Sequence, residues 1–216
     1  MAINIESVSF DLTDCVLRQD SQCRRAWLNE KDSIAHLLRF SDRPVAWNFD
    51  LTNPASASEF YGQQCDENGG AMIELKAVEI QGKEALRGIF KYRAAAERLA
   101  MMYVGIIWLP FSSCNFQINV ESMEKGTTGL REAAVELLEP SESDPDAPVI
   151  TVKSGEDLLG RLKQAKVRKL RSDDPKYDRL ITDHPLSKVR ARLYGICNTL
   201  SFDSNVQSLQ PFRLPN

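Results

Sequence analysis

The sequence predicts an α+β fold: an antiparallel β-sheet meander with helices packed on both of its faces. Four strand-length runs, 71–79, 84–93, 101–109 and 115–123, follow one another, each rich in β-branched or aromatic residues and separated by turn-forming breaks. The third, Met-Met-Tyr-Val-Gly-Ile-Ile-Trp-Leu, is apolar on both faces, as a strand covered from both sides must be. Helical patterns flank the runs, one opened by a proline before them and one carrying a long apolar stripe after them. At 216 residues the chain is long enough to bury a sizeable core, and it is expected to form one domain, 1–216.

In chain order, Ile3, Ile5, Val8 and Phe10 alternate with polar residues, with a phase slip at Ser7, and predict a bent edge strand. Runs 23–28 and 33–40 around the polar turn Asn29-Glu30-Lys31-Asp32 predict a hairpin, completing an N-terminal hairpin region, 1–44. Asn53-Pro54 opens and Gly69-Gly70 closes a helix over 54–67. The meander follows, with Gln81-Gly82 as its first turn. Period-2 spacing puts Ile73, Leu75 and Ala77 on one face of the first strand. It likewise groups Leu86, Phe90 and Tyr92 in the second, and Phe116, Ile118 and Val120 in the fourth. The run 101–109 is expected at the middle of the sheet.

Gly126-Thr-Thr-Gly129 then leads into a helix with Leu130, Ala133, Ala134, Leu137 and Leu138 on its apolar face, capped by Thr127 or Thr128. Residues 139–148, acidic and proline-rich, read as a loop insertion and the one convincing linker. A short strand is expected at 149–152. Ser154 caps a helix carrying Leu158, Leu159, Leu162 and Ala165. Asp173-Asp174-Pro175 breaks the chain, and from Pro185 the residues Leu186, Val189, Leu193, Ile196, Cys197 and Leu200 form a stripe at helical spacing.

Twenty-seven Lys and Arg against 30 Asp and Glu give a net charge of −3, so no global basic field draws nucleic acid or anionic lipid. The expected partner is another protein, not nucleic acid or membrane. Five scattered cysteines without a C-x-x-C pattern fit a reduced, cytoplasmic setting. No basic–apolar leader and no run of roughly 18 apolar residues is present. No cofactor and no metal are expected.

The densest ionisable segment is 173–192. His184 beside Asp183 has the composition of a general-base pair and, with Asp178, of a metal site. The plainer reading makes Asp183 or His184 the cap of the helix opened by Pro185, with Arg190 and Arg192 on its wet face. The carboxylates Asp173, Asp174 and Asp178 lack the ligand order of an EF-hand loop. Gly126–Gly129 has the form of an anion cradle, with Thr128 and Arg131 as binding residues, though a capped turn explains it as well. Cys114 reads as a buried thiol, and the basic run 163–171 as a solvated helix end. Trp27 and Trp47 are candidate anchors of an aromatic binding patch.

The order of elements, a capped helix, a four-strand meander and helices ending in Asn198-Thr199-Leu200-Ser201-Phe202, resembles the Mog1/PsbP-like α/β/α sandwich over roughly residues 45–203. The resemblance implies a binding or assembly factor, since one branch of that group binds a small GTPase and another a photosynthetic complex. It assigns no site residue, and the stretch 139–184 departs from its compact pattern. The expectation is therefore a non-catalytic cytoplasmic protein-binding or accessory protein that buries an aromatic patch near Trp27 and Trp47, rimmed by the acidic loop. The alternatives are a hydrolase-type centre at Asp183 and His184 with Asp178 or Arg131 nearby, and small-anion binding over 126–131.

Overall fold

The computed structural model describes residues 2–95, 99–140 and 154–214. The meander is present: β5 (Ala71–Ile80), β6 (Lys83–Arg93), β7 (Met101–Pro110) and β8 (Asn115–Met123) pair in sequence, all antiparallel. The N-terminal strands β2 (Val16–Asp20), β3 (Arg24–Asn29) and β4 (Ile34–Ser41) join it through β4 and β8. The result is a seven-stranded sheet in the order β2-β3-β4-β8-β7-β6-β5. The hairpin thus extends the sheet and does not merely flank it. The middle position belongs to β8, one strand away from the expected run. β7 is nevertheless covered on both faces.

Helix α1 (Pro54–Glu67) takes one face and α4 (Pro185–Thr199) the other. Asn53 contributes no side-chain cap, so Pro54 at the first turn sets the start of α1. Ala57, Tyr61 and Cys65, four residues apart, then face Leu86, Phe90 and Trp108. On the opposite face Leu186, Val189, Leu193 and Ile196 of α4 press on Tyr103, Ile107, Ile118 and Val120, every one buried. Burial of each such α4 side chain stabilises the fold by about 1.5–3 kcal/mol. Gly105 permits that approach, because a Cβ there would stand 2.9 Å from Val189 Cγ1. At the first turn Gln81 and Gly82 both have positive φ, 52° and 75°, the geometry that suits a tight hairpin.

Several elements differ from expectation for identifiable reasons. Residues 3–10 do not lie on the main sheet. Asn4 caps a short 3-10 turn (Ile5–Ser7), which accounts for the phase slip, and β1 (Val8–Ser9) pairs with β9 (Ser201–Phe202). A register shift between Met72 and Glu74 splits the face expected in the first strand of the meander: Ile73 joins the α4 core while Leu75 joins the α1 cluster. Helix α2 (Leu130–Leu138) begins at Gly129, φ 76°, with no side-chain cap, so neither Thr127 nor Thr128 has that role. It buries Arg131 and Val135, while Leu130, Leu137 and Leu138 are exposed, the reverse of the predicted face. Helix α3 (Gly155–Gln164) is capped by Ser154 as expected, and a short α5 (Ser204–Gln207) closes the chain against β9. The strand expected at 149–152 and most of the loop 139–148 fall outside the described residues. Among the described residues no helix is long and apolar enough to cross a membrane.

Candidate functional site

His184 is the N-cap of α4, as the plainer reading required. Its Nδ1 accepts from the Leu186 amide at 3.2 Å, so the ring proton sits on Nε2, which donates to Glu124 at 3.3 Å. Both ring nitrogens are therefore engaged, and neither is left to take a substrate proton. Burial pushes the Glu124 carboxyl up, but hydrogen bonds from His184 and from the Met101 and Gly129 amides outweigh it and hold the group below the usual carboxylate range. The Gly129 amide at the start of α2 thus faces the protein's own carboxylate, in the place the anion-cradle reading left for a ligand. Thr128 is half-exposed beside it. Thr127 lines a cavity of about 300 Å3 with Leu130, Ile181, His184 and Lys188. Asp183 is almost fully exposed, 3.9 Å from Lys188, and turned away from His184's hydrogen bonds.

Arg131 and Asp178 meet, but in the interior. Arg131 has no exposed surface; it donates to the Ser172 carbonyl, to Ser187 Oγ at 2.7 Å, to the Asp174 carbonyl and to Asp178 at 2.8 Å. Asp178 is shared with Arg190, whose other terminal nitrogen donates to the Asp173 carbonyl at 2.9 Å. Asp173 in turn holds Lys91 at 2.6 Å, both fully buried. Arg190 was expected on the wet face and is instead a core residue, because α4 rotates it toward Asp178. Opposite charges and their hydrogen bonds make this a clamp tying 171–178 to α2, α4 and β6, although Asp173 Oδ1 and Arg190 Nε have no hydrogen-bond partner among the described residues. Arg131 is consequently out of reach of a soluble anion.

A buried histidine and a half-buried cysteine form a further cluster that sequence spacing gave no means of finding. His36 of β4 accepts from Arg192 Nε at 2.9 Å and lies 3.8 Å from Cys15 Sγ. Burial, then the Arg192 charge, lowers the His36 pKa to about 4. Desolvation raises the Cys15 thiol above its ordinary value against the pull of Arg192. Cys114 is buried, and burial raises its thiol likewise.

The two tryptophans lie on opposite faces of the sheet and do not form one patch. Trp27 of β3 packs edge-on to Phe10, ring centres 6.0 Å apart, on the α4 side. Trp47, before α1, stacks on Phe49 at 4.7 Å and donates to the Tyr61 hydroxyl at 2.9 Å on the other side. There it walls a cleft of about 550 Å3 with Phe60, Tyr61, Trp108, Asn115 and Gln117.

That cleft opens onto the uncovered half of the sheet. Helix α1 lies over β5, β6 and β7, and among the described residues no helix lies above three cross-strand rows on β3, β4 and β8. The rows are Arg24–Arg39–Gln117, Ala26–Leu37–Asn119 and Leu28–Ala35–Glu121. Leu37 belongs to neither core cluster. Along β8, Gln117 donates to Asn119 at 2.7 Å and Asn119 to Glu121 at 3.0 Å, a polar ladder between apolar strips. At the far end, Leu28, Ala35, Met102 and Glu121 line a second hollow of about 440 Å3. The Trp47 cleft and this hollow thus stand at opposite ends of the open face, a trough whose middle residues Leu37 and Asn119 are buried.

No protein-family model and no curated protein sequence matches the chain. In chain path it is similar to the Saccharomyces cerevisiae Ran-binding protein Mog1p, with a TM-score of 0.41 and 11% identity over 61% of this chain and 77% of that one. A point mutant of Mog1 gives the same score and identity over 61% and 78%. A Bacteroides thetaiotaomicron structure is similar at a TM-score of 0.35 and 9% identity, over 56% and 40%. The resemblance to Mog1 is weak and concerns the fold alone. No residue role follows from it.

Proposed function

We propose that the protein is a non-catalytic binding protein that docks another protein on the open half of its sheet. The observation that carries this reading is the trough itself: three cross-strand rows with no described helix above them, and beside them an aromatic cleft walled by α1. Its mixture of apolar strips, an amide ladder and two arginines has the composition of a protein-recognition surface, with Trp47, Phe60 and Tyr61 at one end as aromatic anchors. The candidate catalytic groups lend no competing support, since Asp178 and both nitrogens of His184 are engaged within the protein. Five free thiols suit a reducing compartment, in keeping with a cytoplasmic site of action.

The test is affinity purification from the native cells with the wild-type chain and an Ala26→Arg/Ala35→Arg variant, both read by mass spectrometry. The expected result is a stoichiometric protein partner with wild type and its loss with the variant, at unchanged thermal stability. Recovery of no partner, or of the same partner with both chains, counts against the reading.

A further inference from the structure

The two edges of the seven-stranded sheet are unlike. The β2 edge is five residues long, broken by a register shift between Leu17 and Gln19, and carries charges of both signs in its Arg18–Glu30 and Arg25–Asp20 pairs. These are the devices that stop an edge from recruiting another strand. The β5 edge is ten residues long, and beyond its bulge at Met72/Glu74 its register with β6 is regular to Ile80. Among the described residues no backbone group pairs with its outer side.

A groove of about 490 Å3 runs beside it. It is lined by Ile73, Glu74, Leu75 and Lys76 in succession. Because of the bulge Ile73 and Glu74 both turn to the α4 side while Leu75 turns to the other, so a cavity touching all of them wraps the strand's outer edge. The opposite wall is the segment from Lys169 to Lys176, with Arg190 at the base.

The charge of this groove differs from that of the molecule. Its lining has five cations, Lys76, Lys169, Arg171, Lys176 and Arg190, against three acids, Glu74, Asp173 and Asp174, a surplus of two in a chain whose net charge is −3. The three acids are engaged, Glu74 with Arg87, Asp173 with Lys91 and Asp174 with the Lys176 amide; so are three of the cations, Arg171 with Glu136, Lys176 with Glu139 and Arg190 with Asp178, which leaves Lys76 and Lys169 as the surplus. Lys169 has no ion pair among the described residues, and the Lys76 side chain is 61% exposed. One lysine would suffice to blunt an edge; cations converging from β5 and the facing segment do more than that.

We propose that the β5 edge groove binds an extended acidic segment of a partner protein by strand addition. The free N–H and C=O groups of β5 supply the ladder, and Lys76 and Lys169 select acidic side chains over basic ones. The site is separate from the open face, and the two stand or fall independently.

The test uses the full chain and a fluorescein-labelled octapeptide of alternating valine and glutamate, read by anisotropy and by amide hydrogen exchange. The acidic peptide is expected to bind, more weakly as salt rises, and to protect amides within 74–79. Lys76→Glu/Lys169→Glu should weaken it tenfold or more, while Ala26→Arg/Ala35→Arg leaves it unchanged. An alternating valine–lysine peptide should not bind. The proposal is overturned if the acidic peptide fails to bind, or if the Lys76→Glu/Lys169→Glu variant binds it as wild type does. Equal binding of an acidic peptide with prolines at alternate positions, which cannot form a ladder, also overturns it, as does protection on β3 and β4 instead of β5.

Discussion

On the α4 side of the sheet Tyr103, Ile107, Phe116, Ile118 and Val120 have no exposed surface, and the charges there are paired with one another. On the α1 side the same strands β7 and β8 send out Ile106, Gln117, Asn119 and Glu121, and beyond β7 no helix among the described residues covers them. Two successive residues of β8, Ile118 and Asn119, therefore belong to different problems. The first is locked between α4 and the sheet. The second hydrogen-bonds along the strand and meets the trough. Stability is concentrated on one face, which leaves the other free to be shaped by what it touches.

The sharpest way to break that comparison is to remove one arginine from each face. Arg131→Met deletes four hydrogen bonds and leaves the half-buried Asp178 with Arg190 and the Ser187 hydroxyl. Loss of one partner of such a buried network costs about 3–5 kcal/mol. Arg39→Met, on the exposed end of the open face, should change stability by no more than about 0.5 kcal/mol. Urea unfolding of the two variants reads the difference directly, and equal losses would show that the faces are energetically alike.

Close packing gives the next largest effect. Gly105→Ala places a methyl 2.9 Å from Val189 Cγ1 and 3.1 Å from Leu193 Cδ2, so these side chains, or α4 with them, must shift. Overpacking of this kind costs about 1–3 kcal/mol. Thermal unfolding should show the loss. An unchanged midpoint would mean that α4 seats more loosely on the sheet than its buried stripe implies.

The α4 side should also carry a pH dependence that the open face lacks. His36 has a folded pKa lowered from 6.5 to about 4, so between those values the unfolded chain binds the extra proton. Stability from this group is complete above about pH 6.5 and falls as pH drops toward 4. Glu124, held below the usual carboxylate range, adds a loss in the same direction at lower pH. Urea midpoints at pH 7 and pH 4.5 should therefore fall less in His36→Gln than in wild type. An identical fall in both would remove His36 as the cause.

What was legible in the sequence follows the same division. Helix α1 was readable at both ends because Pro54 and Gly69-Gly70 are local signals, and the α4 stripe because its apolar period is unbroken. The strand β2 was not, since all five of its residues are exposed and no alternation marks it. On α2 the apolar period pointed outward, because the helix is anchored by Arg131 and Val135, and a buried arginine is indistinguishable in sequence from a solvated one. The trough was invisible for a deeper reason. Its rows are set by the β3–β4–β8 register, and pairing of residues some 80 apart, such as Leu37 with Asn119, is not written in any local period.

The smallest expected effect tests the open face most narrowly. Glu121→Gln removes one charge from the end of the β8 ladder but keeps an amide oxygen where Oε1 now accepts from Asn119 at 3.0 Å. If the ladder serves recognition, stability should change by no more than about 0.5 kcal/mol, while binding of the recovered partner changes with the lost charge. A large stability loss would instead make the ladder part of the fold's support. The open face would then be a second core, thinly covered, and a partner would have to be sought along the sheet's edges.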